Sequence, residues 1–196
     1  MKCQNKMYLK GGVIKSKRFY LRELDDDDAN SDYLKWVSDL SNEYIVTKDS
    51  NYSIQKLKEY IKEKQFNKES LLLGIFTNDN NKHIGNIKYE PINSIKGLAV
   101  MGILIGNIGW RGKGVASEVI RSSSLYLHSS SNINKILLGV NIDNVNAIRA
   151  YDKIGFIVKD KAKSKEGVII NMELDILGLN ILNQPKIDKL KDKKIE

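Results

Sequence analysis

Residues 111–118 read Arg-Gly-Lys-Gly-Val-Ala-Ser-Glu. An apolar run, 99–105, precedes them, and a helical pattern ending near His128 follows. A strand that turns through glycines into a helix start makes an anion seat. Glycine lets backbone N–H groups turn toward a phosphate, and the helix N-terminus adds partial positive charge. Main-chain amides from Arg111 through Gly112, Lys113, Gly114 and Val115 to Ala116 are the expected donors. The side chains of Arg111 and Lys113 would add full charge at the rim. The chemistry this predicts is a cradle for the pyrophosphate of a nucleotide-containing cofactor.

Spacing rules out two familiar versions of such a loop. A Walker loop needs Gly-x-x-x-x-Gly-Lys and then Ser or Thr. Here Gly114 follows Lys113, and Asn107 stands five places before Gly112. The dinucleotide fingerprint Gly-x-Gly-x-x-Gly fits Gly112 and Gly114 but meets Ser117 at its third place. On this loop alone, a glycine-rich turn before a core helix is as good a reading as a phosphate cradle.

A second stretch separates them. It runs Asn144-Val-Asn-Ala147-Ile-Arg-Ala-Tyr151-Asp-Lys-Ile-Gly155-Phe156. Together the two segments resemble the GCN5-related N-acetyltransferase (GNAT) superfamily, which uses acetyl-coenzyme A. Arg111-x-x-Gly114-x-Ala116 is similar to that family's Arg/Gln-x-x-Gly-x-Gly/Ala loop. Asn144-x-x-Ala147-x-x-x-Tyr151, closing on Gly155-Phe156, is similar to its later helix and the strand after it. The resemblance covers roughly residues 17–174, with these two segments its specific part.

The resemblance implies a site. Ile103, Leu104 and Ile105 would meet the pantetheine arm through main chain, beside a splay between two central strands. Asn144 would hydrogen-bond that arm or cap its helix, and Ala147 would complete the cofactor wall. Tyr151 matches the family tyrosine whose hydroxyl reaches the sulfur, so it is the candidate general acid. Many relatives carry a glutamate on the strand before the phosphate loop, but residues 99–105 contain no ionisable side chain. Glu90 is the nearest substitute base, acting through a water. Trp36, Tyr44 and Tyr52 are candidates to line the acceptor pocket.

The implied reaction is direct transfer of acetyl from acetyl-coenzyme A to a primary amine. Residues Ile84-Gly-Asn-Ile-Lys, Pro91-Ile-Asn93 and Gly102-Ile-Leu-Ile-Gly106 resemble a branch linked to surface-polysaccharide synthesis, which suggests an amino-sugar acceptor. The ribosomal-protein N-terminal acetyltransferase branch has a similar loop, often with Trp where this chain has Arg111, so a peptide acceptor stays open. A non-catalytic acyl-coenzyme A-binding module is the further alternative.

Composition sets outer bounds. The chain has 196 residues, 41% of them apolar, enough for one domain with a substantial core. The net charge is +8, which suits a polyphosphate ligand. No stripe of basic residues interleaved with aromatics favours nucleic acid, and five lysines lie from Lys186 onward. The lone Cys3 excludes a disulfide framework, and no cluster suggests a metal. No apolar run approaches a membrane span and no signal-peptide core opens the chain, so the expectation is a cytoplasmic protein off the membrane. Self-association into a homodimer is left open.

The remaining pattern predicts the scaffold. Residues 1–16 read as a lead-in, 17–175 as the acetyltransferase domain, and 176–196 as a partly disordered tail. Strands are expected at 18–24, 71–77, 83–90, 98–105, 135–140, 156–159 and 168–174. Helices are expected at 32–40, after Ser53, at 115–128 and at 144–154. Consecutive acids Asp25–Asp28 suit a turn or helix start better than a metal, and His83, near a turn, reads as exposed. The class is α+β: a mixed, mostly antiparallel, splayed sheet of about seven strands flanked by helices, the acyl-CoA N-acyltransferase fold.

Overall fold

The computed structural model describes residues 9, 12–38, 53–165 and 167–181, with side chains to residue 179. Cys3, Leu40, Tyr44, Tyr52 and the lysine-rich end therefore lie outside the described residues. The strands are β1 (Ile14–Lys15), β2 (Phe19–Glu23), β3 (Leu71–Thr77), β4 (His83–Asn93), β5 (Leu98–Ile105), β6 (Lys135–Asn141), β7 (Ile157–Ser164) and β8 (Gly167–Asp175). The helices are α1 (Ser31–Ser38), α2 (Ile54–Phe66), α3 (Val115–Ser131), α4 (Val145–Ile154) and α5 (Ile176–Ile181). All eight strands form one sheet in the order β1-β2-β3-β4-β5-β6-β8-β7. Among the described strands, only β5 and β6 pair in parallel. The eighth strand is β1, two residues of the expected lead-in that pair with Leu21 and Tyr20.

Strand β3 shows how the sheet divides two cores. Every residue of Leu-Leu-Leu-Gly-Ile-Phe-Thr is buried. Leu71, Leu73 and Ile75 join the core containing Val119, Ile120 and Leu127 of α3 and Ile154 of α4. Leu72 and Phe76 point the other way, to Tyr33 of α1 and Leu57 and Ile61 of α2. This is the period-two alternation of a strand covered on both faces.

Helix α2 begins where its sequence says, with Ser53 Oγ accepting from Lys56 N–H at 3.2 Å. Such a cap is worth about 1 kcal/mol. Burial of Leu57 and Ile61 contributes roughly 1.5–3 kcal/mol each, so packing holds this helix more than capping does. The acidic run is structural: Asp25 caps a short 3-10 turn, Asp26–Asp28, and buried Asp28 takes two bonds of 2.7 Å from Arg22.

Strand β7 runs to Ser164 where 156–159 was expected, and three further boundaries differ by three residues or more. Strand β4 continues past Pro91 to Asn93, because a register shift between Tyr89 and Ile92 absorbs the residue that cannot donate. Helix α3 runs three residues beyond His128 to Ser131, despite the serines at 122–124. Ser123 is needed there: its hydroxyl lies 2.7 Å from the buried Tyr89 hydroxyl and bonds the Val119 carbonyl at 2.6 Å. The first residues assigned to the tail form α5, whose Ile176 and Leu179 enter the core. Among the described residues no helix is long and apolar enough to cross a membrane.

Candidate active site

Strands β5 and β6 pair through Leu98–Lys135, Ala99–Ile136 and Val100–Leu137, and then separate. Among the described residues, β5 beyond Val100 keeps its bonds to β4 alone, and β6 beyond Leu137 keeps its bonds to β8 alone. The result is a notch with one unpaired strand edge on each side. Ile103, Leu104 and Ile105 form its β5 wall. Main-chain groups on such an edge suit an extended polar ligand, which can bond them as a strand would.

The end of β5 leads into the phosphate-type loop. Trp36 of α1 packs on Gly106, where an ideal Cβ would fall 2.0 Å from its ring, so only glycine admits it. Asn107 then caps a short 3-10 turn, Ile108–Trp110, by accepting from Gly109 N–H at 3.0 Å. Arg111 folds back and donates from Nε to the Ile105 carbonyl at 2.9 Å. It therefore ties the loop to the strand end, where sequence suggested a charge standing at the rim. Lys113 stays exposed, its Nζ 5.6 Å from the Trp110 ring centre.

Gly112 and Gly114 have φ of +72° and +74°. A Cβ on Gly112 would meet nothing within 4 Å, and one on Gly114 only Arg18 Nη2 at 3.7 Å. Backbone conformation, not crowding, requires glycine here. Gly114 caps α3 without any side-chain bond, so among the described residues the first-turn amides are not taken by a capping group. Val115 buries its side chain and Ala116 is half-buried, which seats the turn against the core. Glu118, in the same first turn, is held by Ser16 and Arg18 from the opposite end of the chain.

The other wall descends from β6. Asn144 caps α4, its side chain accepting from Ala147 N–H at 3.2 Å. Ala147 and Tyr151 are half-buried against the main core. The Tyr151 ring lies 5.6 Å from Phe156, and its hydroxyl has no hydrogen-bond partner among the described residues. Burial pushes this phenol up to about 12, so it is protonated throughout the physiological range. Gly155 ends α4 at φ +114°.

Glu90 lies across β5 from the notch, level with Val100, within the β4 register shift. Its Oε1 accepts from Lys64 Nζ and Asn67 Nδ2 at 2.9 Å each, and its Oε2 lies 2.9 Å from Lys88 Nζ. Burial would raise the carboxyl's pKa, but the bonds from Lys64 and Lys88 outweigh it and hold the group below its ordinary range. This is the environment of a fixed anion.

His83 is not exposed as the sequence suggested. Its ring stacks on Phe76 at 4.7 Å and meets Trp36 at 5.1 Å and Tyr33 at 5.6 Å. Nε2 lies 2.9 Å from the Gly85 carbonyl, and burial lowers the imidazole to about 4. Tyr33 and Trp36 of α1 thus fold over the start of β4. Asn86, on the same sheet face, buries an amide nitrogen with no partner among the described residues. His83 carried no local signal, because α1 reaches it across the fold.

Comparison with known proteins agrees with this geometry. A family model described as an acetyltransferase (GNAT) domain matches residues 18–157. An uncharacterized N-acetyltransferase, p20, of Bacillus licheniformis is 26% identical over 167 residues, covering 80% of this chain and 91% of that protein. The structure of RimL, a ribosomal L7/L12 alpha-N-protein acetyltransferase in complex with coenzyme A, is similar with TM-score 0.75 and 12% identity, over 83% of this chain and 97% of that one. A spermidine N-acetyltransferase SpeG chimera, from Vibrio cholerae and hSSAT, is similar with TM-score 0.70 and 21% identity, over 86% and 100%. The divided sheet and the glycine turn thus fall inside a stretch with a family of its own, and the chain belongs to the GNAT acetyltransferases.

Proposed function

We propose that this protein transfers the acetyl group of acetyl-coenzyme A to a primary amine, with an amino sugar of a surface-polysaccharide precursor as the acceptor class. The observation that carries the reading is the parting of β5 from β6 after Val100, opening beside a helix start with no side-chain cap. Diphosphate would rest on the amides of residues 111–116, and the pantetheine arm would bond the main chain of Ile103, Leu104 and Ile105.

In the reaction the neutral amine attacks the thioester carbonyl carbon. The carbonyl oxygen takes the negative charge, and a main-chain N–H on the unpaired edge of β5 stabilises it. Collapse breaks the C–S bond, and the thiolate takes the Tyr151 proton. The phenolate recovers a proton from solvent, which has accepted the one lost by the amine. Burial keeps the phenol protonated, so its O–H is available to donate to the departing sulfur. Glu90, already holding three donors, is given no base role; water carries the amine proton.

The test is release of free thiol from acetyl-coenzyme A on adding members of a panel of amino-sugar nucleotides. Turnover with an amino sugar supports the reading, and turnover confined to peptides would refute the acceptor class. A peptide α-amine is the second reading, favoured by the likeness to RimL, and N-terminal peptides belong in the same panel.

A further inference from the structure

We propose that Arg18 and Glu118 are positioning residues for the phosphate-binding loop. The proposal rests on assigning that loop to the cofactor diphosphate. Glu118 stands in the first turn of α3, where a carboxylate suits a bare helix end but opposes a bound anion. Three donors draw it toward β2. The Arg18 N–H and Ser16 Oγ reach Oε1 at 2.6 and 2.9 Å, and Arg18 Nε reaches Oε2 at 2.8 Å. Burial would raise this carboxyl, but the bonds from Arg18 and Ser16 outweigh it and hold it low. Glu118 is therefore a carboxylate whose charge is answered from the strand side.

The same guanidinium aims the loop. Arg18 Nη1 donates to the Lys113 carbonyl at 3.0 Å. In a trans peptide the C=O and the following N–H point in opposite directions. Holding the Lys113 carbonyl against Arg18 turns the Gly114 N–H away from it, to the side left for the phosphate. Arg18 Nη2 also lies 3.7 Å from the place a Gly114 Cβ would take, so it lies alongside the glycine whose positive φ makes the turn. An exposed ion pair of this kind stabilises a fold little. Its effect is on where one peptide points and which charge the diphosphate meets.

The test is calorimetric titration of coenzyme A into the full chain and into Arg18→Gln, Glu118→Gln and the double variant. Pantetheine, which lacks the diphosphate, is titrated in parallel by NMR. Arg18→Gln should weaken coenzyme A binding about tenfold, because it frees the Lys113 carbonyl and leaves Glu118 to face the diphosphate. Glu118→Gln should cost about threefold, because Arg18 loses the carboxylate that fixes it against the Lys113 carbonyl, and the double variant should recover part of the Arg18→Gln loss by removing the charge that faces the diphosphate. Pantetheine should bind the full chain and every variant alike. Arg18→Gln binding coenzyme A as tightly as the unaltered chain, or losing pantetheine equally, would overturn the positioning role. Failure of the unaltered chain to bind coenzyme A would instead overturn the reading beneath it. If Arg18→Gln does not fold, Arg18→Lys replaces it; it keeps the charge, loses the fork, and should still weaken coenzyme A alone.

Discussion

The Glu90 carboxylate and the Lys64 ammonium stand 2.9 Å apart at the junction of α2 with β4. Lys88 and Asn67 complete the junction. Glu90→Gln should therefore act on the fold before the chemistry. Removing the anion leaves Lys64 without its partner on β4, at a cost of about 2 kcal/mol. Thermal unfolding should report that loss, while turnover at saturating substrates stays within about threefold. A fall in turnover of two orders of magnitude would return Glu90 to the role of base.

Gly114 offers the sharpest test of the cradle. Its φ of +74° strains any other residue, and a branched side chain would disturb the turn whose amides are proposed to receive the phosphate. Gly114→Val should cost about 1–2 kcal/mol of stability and abolish measurable coenzyme A binding. Calorimetry on the folded variant reads this directly, and intact affinity would refute the cradle.

Tyr151 has a hydroxyl with no partner among the described residues, on a helix that follows the β6 wall of the notch. Tyr151→Phe keeps the ring against Phe156 and removes the proton. Turnover should fall about a hundredfold with coenzyme A affinity unchanged. An unchanged rate would remove Tyr151 from the mechanism.

His83 gives the fold a pH dependence with a definite sign. Its folded value is about 4, below the ordinary 6.5, chiefly through burial; Asp28 and Asp32 favour its charge and Arg22 opposes it. As pH falls from 6.5 toward 4, the unfolded chain takes up a proton that the folded chain refuses, so stability falls. The difference should be on the order of 2 kcal/mol. Urea unfolding at several pH values should show a shallower slope for His83→Gln, and equal slopes would disprove the assignment.

Much of this protein could be read from its residues because the signals are local. Ser53 and Asn144 cap the helices they precede, Gly155 ends α4, and 71–77 is buried from end to end. The loop at 111–118 showed itself through its glycines, and their positive φ values are the reason they are there. What sequence missed depends on partners far along the chain. Arg18 gives no hint that it meets Glu118, one hundred residues away. His83 sits beside a polar turn, and only α1 folding over it reveals its burial. Glu90 looked like an available base, and α2 brings Lys64 against it. The serines of α3 looked like poor helix formers, and Tyr89 supplies the reason for Ser123.

Within the sheet, three residue pairs, at 98–100 and 135–137, join the first five strands to the last three. A pantetheine arm lying between the parted strands would serve as a substitute strand, lengthening that short seam with its own amides. Donor binding would then act on the mechanics of the whole sheet as well as on the reacting carbon. The charged enzyme would be the stiffer one, and loss of the acetyl donor would loosen the two halves together.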